Sequence, residues 1–455
     1  MSESLETKYT LPDEKGVQEQ PADEEVQRVD DSTANLPQKE ERSEPNQSQQ
    51  IVFPDGGRQA WLTVLGGWLV AFCTFGFASS YGVFQDYYVE ENTSSASNIS
   101  WIGSLQLFFM FLMGLPSGKL FDQGYFHHIM IVGSVLYVFS LMMLSIANTT
   151  RYYELLLAQG ISSGLGSGLI LVPALSVQSH HWRKRRALAM GIVLMGSSSG
   201  GVVYPIMLNQ LFNNGLGFAW SVRAAAFMTL GMLVLANFML STRLPSAKQR
   251  PPGAPSPSVA KVATDGPYIV VLLSIFLGLW GLLYPYFYLQ LWVSSQGLSQ
   301  TLAFYSVAIL NAGSTLGRAS AGALADRIGA FNSIVPVSFI CGGLVFAMLG
   351  AKTPGGVIAF AILYGIFSGA YISLCPPLLA AMARSTHEVG LRIGLGYFIT
   401  SFAILTGTPI SGALLGSLDR WYKPTLFSGV VILAGTATAV VARAMMVKRK
   451  GTQLV

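Results

Sequence analysis

An arginine, Arg318, interrupts an apolar run eight residues before the aspartate that closes it, Asp326. On a helix that interval is ~12 Å at 1.5 Å per residue, which puts Arg318 near the midplane of any membrane the run crosses. A cation at that depth is costly unless it faces protein or water, so it is a functional candidate. Asn311 and Ser314, seven and four residues earlier, share its helix face. Together they offer a guanidinium fork and two small hydrogen-bonding groups. That surface suits a carboxylate, which arginine grips through paired hydrogen bonds. The competing reading has Arg318 bracing Asp326 or extending its head to the aqueous boundary.

Few other groups suggest chemistry. Tyr81, Tyr284 and Tyr288 stand in aromatic-rich runs, where their phenols can hydrogen-bond a partly apolar ligand. Cys73, Cys341 and Cys375 fall inside apolar runs, without metal or disulfide spacing. His127, His128, His180, His181 and His387 sit in loops. There is no phosphate-cradling glycine loop followed by Lys-Ser/Thr, and no clustered nucleophile, metal set or buried acid–base pair. The reading is therefore not an enzyme, with no cofactor and no metal.

The elements that hold these groups are membrane helices. Of 455 residues, 51% are hydrophobic and 11% charged, against about a quarter charged in soluble domains. Apolar runs near the ~20 residues needed to cross a bilayer recur along the chain, and none alternates as a barrel strand does. Twelve spans are expected, at roughly 61–84, 100–118, 129–147, 152–175, 187–211, 220–241, 267–292, 302–324, 332–350, 357–382, 392–416 and 425–446.

Two halves repeat. Asp122 and Asp326, Pro173 and Pro377, and Pro205 and Pro409 are each 204 residues apart. The fold expected is an all-α membrane protein with twelve transmembrane helices in two pseudo-symmetric six-helix bundles. Parallel repeats of this kind build alternating-access carriers with the site where the halves meet. The divisions are an acidic cytosolic tail over 1–50, bundles over 51–241 and 267–447, a linker over 242–266 and a basic tail over 448–455. The first tail holds 13 of the 23 acidic residues and five bases, too polar to fold alone. Bases divide sixteen to five between alternate loops, which puts both termini in the cytosol. Asn92, Asn98 and Asn148 begin glycosylation sequons in outer loops. The positive balance sits in these short loops and does not indicate nucleic acid.

Gly118 and Asp122 close span 2, and Gly322, Asp326 and Arg327 close span 8. Small residues let membrane helices approach closely, and an aspartate can receive the positive end of a neighbouring helix. This pair of loops is expected to latch one face. Gly191, Gly196, Gly200 and Pro205 in span 5, matched by Gly407 and Pro409 in span 11, are expected to form a bending or sliding seam.

The paired Gly-x-x-x-Asp loops resemble the signature of the major facilitator superfamily. Pro54-Asp55-Gly56-Gly57-Arg58-Gln59-Ala60-Trp61 and His181-Trp182-Arg183-Lys184-Arg185-Arg186-Ala187-Leu188-Ala189-Met190-Gly191 look like signatures of its monocarboxylate porter family, in the fungal branch, over about residues 52–447. The resemblance implies a carrier in which Arg318 meets a substrate anion. Ser314 stands where that family usually has an acidic partner, span 1 has no lysine, and Leu156 replaces the arginine of drug antiporters. Proton coupling is thus not supported. The expected function is movement of a small organic anion, monocarboxylate-like or a related metabolite. The alternatives are an efflux carrier for a fungal secondary metabolite and a transporter-like nutrient sensor. The expected partners are the small-molecule substrate and the lipid bilayer, around a monomer in the plasma membrane or a vacuolar or other internal one.

Overall fold

The computed structural model describes residues 55–243, 258–416 and 420–455. The acidic tail and most of the linker lie outside them. Twelve long helices follow: α1 Arg58–Glu90, α2 Asn98–Asp122, α3 Phe126–Ile146, α4 Tyr152–His181, α5 Arg186–Asn213, α6 Gly217–Met239 and α7 Gly266–Ser295. Then come α8 Gln300–Ile328 and α9 Ala330–Gly350, α10 Pro354–Ala381, α11 Thr386–Leu415 and α12 Tyr422–Lys450. All but α8 are apolar enough along their length to cross a bilayer. α8 is long enough, at 29 residues, but carries Asn311, Ser314 and Arg318 buried against protein.

The side chains explain why these segments sit in lipid. On α3, Met130, Tyr137 and Leu141 are buried while Ile131, Val135 and Phe139, spaced by four, are exposed. A helix apolar on every side needs an apolar solvent on its outer face. The same belt continues through Phe238 on α6 and Leu316 on α8. The chain is a multi-pass membrane protein.

Several helices are irregular where they meet the centre of the molecule. α1 contains a π-helical turn over Phe72–Gly76, a feature common at functional positions. α7 is interrupted at Leu283, two residues ahead of Pro285, whose ring removes a backbone donor. Pro205 and Pro409 sit inside helices that continue through them.

Two expected boundaries move. α12 runs on through Lys448, Arg449 and Lys450, because basic residues suit the negative C-terminal end of a helix. The expected linker ends in structured chain: a short helix covers Val259–Ala263 and Asp265 is buried. Below, the face carrying Asp122 and Asp326 is called the basic face.

Candidate functional site

The halves meet along two seams that start at the basic face. In the first, α2 lies against α11. Gly390 and Leu391 donate backbone N–H to Asp122 Oδ1 and Oδ2 at 3.0 and 2.6 Å. Gly118 faces the Gly390 carbonyl so closely that a β-carbon would collide with it, and Gly114 faces Gly394 and Tyr397. One turn deeper, Phe111 of α2 stacks on Tyr397 of α11, with ring centroids 4.7 Å apart and planes 27° apart.

The second seam joins α5 and α8. Ala187 and Leu188 donate N–H to Asp326 Oδ1 and Oδ2 at 2.9 and 2.8 Å. Gly322 meets Ala187, Gly191 meets the Arg318 carbonyl, and Gly201 meets the Asn311 side chain. Arg327 is exposed at the helix end. About two helical turns in from Asp326 this seam turns polar. Arg318 is buried; its Nη1 donates to the Leu194 carbonyl at 2.8 Å and to the Ser197 hydroxyl, and its Nε donates to Ser314 Oγ at 3.1 Å. Ser198 Oγ also donates to Ser314 Oγ at 3.0 Å. Arg318 therefore neither braces Asp326 directly nor reaches the aqueous boundary. It is a cross-seam contact, with the phenols of Tyr286 and Tyr397 beside its guanidinium. Among the described residues no carboxylate lies within ion-pair distance of it.

The two seams are not equivalent in chemistry. Gly114 and Arg318 are 204 residues apart, like the latch aspartates. Where one seam leaves a glycine notch filled by Tyr397, the other places a cation between serines.

Beside Tyr397 the halves leave a narrow apolar cavity of about 30 Å³, lined mainly by Phe75, Phe111, Leu279, Leu283, Ile372 and Tyr397. The π-turn of α1 presents Phe75, and the break in α7 follows Leu283. Phe75 packs edge-on against Phe111 at 5.5 Å. The lining is apolar except for the Tyr397 hydroxyl and the thiol of Cys375, which donates to the Tyr371 carbonyl.

The three expected tyrosines do not reach this cavity. Tyr81 donates to the Ile99 carbonyl inside the first half. Tyr284 pairs with Thr425 Oγ1 at 3.2 Å, and Tyr288 donates to the Thr408 carbonyl at 3.0 Å, both inside the second half. A buried phenol turns to the nearest free carbonyl or hydroxyl, and here that partner lies within the bundle. Sequence spacing shows that Tyr284 and Tyr288 share a face, not which face is inward. The tyrosines near the site are Tyr286 and Tyr397.

Of the remaining helix-packing positions, Gly196 and Gly200 seat α1 against α5 at Trp68 and Phe72, and Gly407 seats α11 on the Trp280 carbonyl. Asn92, Asn98 and Asn148 are exposed on the face opposite the basic one.

A buried charge cluster went unread in the sequence. Arg392 of α11 is buried, and its Nη1 and Nη2 each lie 3.1 Å from Asp265 Oδ2. Its Nε meets Glu388 Oε2 at 3.2 Å, and Arg449 reaches Asp265 at 3.3 Å. The available signal was Arg392 itself, a cation just inside an apolar run. Asp265→Ala leaves Arg392 short of its main partner, an error worth about 3–5 kcal/mol for a buried pair. We expect a clear drop in thermal unfolding temperature in detergent, with Asp265→Ala/Arg392→Gln recovering most of it. An unchanged melting profile for the single variant would contradict this ledger of buried charge.

Comparison with known proteins agrees with the geometry. The Major Facilitator Superfamily profile matches residues 67–356. The chain is 41% identical over 399 residues to the aspyridones efflux protein apdF of Emericella nidulans, covering 87% of this chain and 80% of that one. It is 39% identical over 388 residues to the agnestins efflux protein AgnL12 of Paecilomyces divaricatus, covering 85% and 87%. Among solved structures, the transporter FucP in its outward conformation superposes with a TM-score of 0.64 at 16% identity, covering 85% of this chain and 99% of that one. Twelve long helices among the described residues, paired aspartates that each receive a helix start from the other half and these matches lead to one conclusion: the chain is a membrane transporter that belongs to the Major Facilitator Superfamily.

Proposed function

We propose that this transporter exports a fungal secondary metabolite that is largely apolar, carries a ring and bears one acidic group. One observation supports the reading: an aromatic-lined cavity lies between the halves beside Tyr397, and the buried Arg318, close to Tyr397 on the neighbouring seam, has no carboxylate within ion-pair distance among the described residues. Phe75, Phe111 and Tyr397 would hold the ring once the halves part and this narrow cavity widens. Arg318, with Tyr286 and Tyr397 beside it, would receive the acid. The names of the efflux relatives support the direction and the cargo type. The signatures at Asp55–Trp61 and His181–Gly191 support a place near the monocarboxylate porters, with the cargo enlarged from a simple monocarboxylate. Asn311 and Ser314 support Arg318 from the same helix face.

Alternating access would work by breaking the two seams at the basic face while the halves close elsewhere. The charge bias of the loops supports a cytosolic basic face, so cargo would enter from the cytosol and leave across the plasma membrane or into a vacuole. The chain would act as a monomer, and the exposed sequons would carry glycans if they face the secretory lumen.

The test is export from cells expressing the protein, loaded with a panel of ring-bearing carboxylic acids and their methyl esters. The acids should leave faster than from control cells and the esters should not. Equal export of both would overturn the anionic cargo. No carboxylate of the described residues lies beside Arg318 to carry a proton, so we further expect a proton-gradient uncoupler to leave the initial export rate unchanged. A collapse in that rate at constant cargo loading would reject this expectation.

A further inference from the structure

Two aspartates on the basic face share a plan that the latches alone do not explain. Asp55 lies three residues ahead of α1, and its Oδ1 accepts the backbone N–H groups of Arg183 and Lys184 at 2.6 Å each. These residues stand just before Ala187 and Leu188, the pair received by Asp326 from the other half. Trp61 of α1 packs edge-on against Trp182 beside them, with centroids 5.0 Å apart. The two sequence signatures at Asp55–Trp61 and His181–Gly191 are thus one structure: an aspartate and a tryptophan pair that hold the entry to α5.

The second half repeats the plan with different chemistry. Asp265 directly precedes α7 and binds Arg392 through both terminal nitrogens. Arg392 follows Gly390 and Leu391, the pair received by Asp122. Tyr268 of α7 completes the grip. Its hydroxyl donates to the Arg392 carbonyl at 2.5 Å, and its ring lies 4.9 Å from the guanidinium.

Each latched helix start is therefore held twice. The aspartate ahead of the first helix of its own half grips it, and the latch aspartate of the opposite half caps it. A carboxylate receives two successive N–H groups only when the helix end is aimed at it, and holding that end in place beforehand lowers the ordering cost of each closure.

We propose that Asp55 and Asp265 are positioning residues that aim α5 at Asp326 and α11 at Asp122, so that closure of the basic face is set separately at each seam. Asp55 acts through an oxygen that accepts backbone N–H groups, so an amide oxygen will substitute for it. Asp265 acts through an ion pair, so removal of its charge is what matters.

The experiment uses the full chain purified in detergent and needs no cargo. Single reporter cysteines are placed at Leu188 of α5, which faces Gly322, and at Leu115 of α2, which faces Gly394. Maleimide labelling is measured above the background of the three buried native cysteines. Asp55→Ala should raise labelling at Leu188→Cys by about tenfold, the equivalent of one 1.4 kcal/mol step in an opening equilibrium, and leave Leu115→Cys unchanged. Asp55→Asn should restore slow labelling. Asp265→Ala should do the converse, and so should Asp265→Ala/Arg392→Gln, which keeps a read-out if the single variant does not accumulate. Parallel rises at both reporters, no rise at either, or failure of Asp55→Asn to restore slow labelling would overturn the proposal. None of these outcomes depends on what the transporter carries.

Discussion

Arg318→Ala is expected to cut export of an acidic cargo by roughly 10- to 150-fold, while the protein stays folded and equally abundant. The magnitude follows from losing a hydrogen bond to a charged group, about 1.5–3 kcal/mol. The retained fold follows from what Arg318 leaves behind. Its partners are a helical carbonyl and serines with other partners, since Ser197 Oγ also donates to the Leu194 carbonyl and Ser198 Oγ to Ser314 Oγ. Removing an unpaired buried charge also removes its desolvation cost, which offsets the hydrogen bonds and packing lost with the side chain. Activity and stability should therefore part company. Arg318→Lys keeps the charge but not the planar fork, so it should fall between the parent and Arg318→Ala. Initial export rates at matched protein level, with thermal unfolding in detergent, check both points. Loss of stability in step with loss of export would make Arg318 a structural strut, and unchanged export would remove it from the site.

The second large effect concerns Gly118. A β-carbon there collides with the Gly390 carbonyl of α11, and neither backbone can yield without pulling Gly390 and Leu391 away from Asp122. Overpacking of this kind costs about 1–3 kcal/mol. Here that cost falls on one conformation, the state in which α2 and α11 touch. A penalty confined to one state shifts the population rather than unfolding the protein. Gly118→Ala should therefore reduce transport by about 10-fold or more and raise labelling of a cysteine at Leu115. Gly322→Ala should act in the same direction, since its β-carbon would lie 2.6 Å from the Ala187 carbonyl. Gly231→Ala and Gly343→Ala are controls, with nothing within 4 Å of the added carbon. If Gly118→Ala transports like these controls, the tight seam is not part of the cycle.

These effects separate two kinds of residue at the interface. Glycines and aspartates near the basic face make the contacts by which the halves touch there. Phe75, Phe111 and Tyr397 line the cavity between the halves, and Arg318 crosses the neighbouring seam. Phe111 and Tyr397 belong to both groups, because their stack spans the halves and also lines the cavity.

Much of this was legible without coordinates. Helix number follows from runs long enough to cross a bilayer, because in lipid the backbone must satisfy its own hydrogen bonds. The repeat of Asp122 at Asp326 points to the two halves and to the places where each aspartate meets the other half. Arg318 stands out because a cation at membrane depth is costly. Each of these is a local or periodic property, written in composition and spacing.

What the sequence left open needs the third dimension. Tyr284 and Tyr288 are four residues apart whichever way their face turns, and only packing shows that it turns into its own bundle. Phe111 and Tyr397 are far apart in the chain and look like ordinary apolar-run residues until α2 meets α11. Asp265 reads as the end of a polar linker until Arg392 is placed against it. Asp55 reads only as part of a signature ahead of span 1 until the entry to α5 closes over it. Apolar burial and backbone pairing are specified helix by helix, so the chain alone determines the membrane helices and their duplication. Which faces are inward, and which distant charges and rings meet, depends on contacts between helices, where many pairings satisfy the same hydropathy and only the tertiary structure selects one.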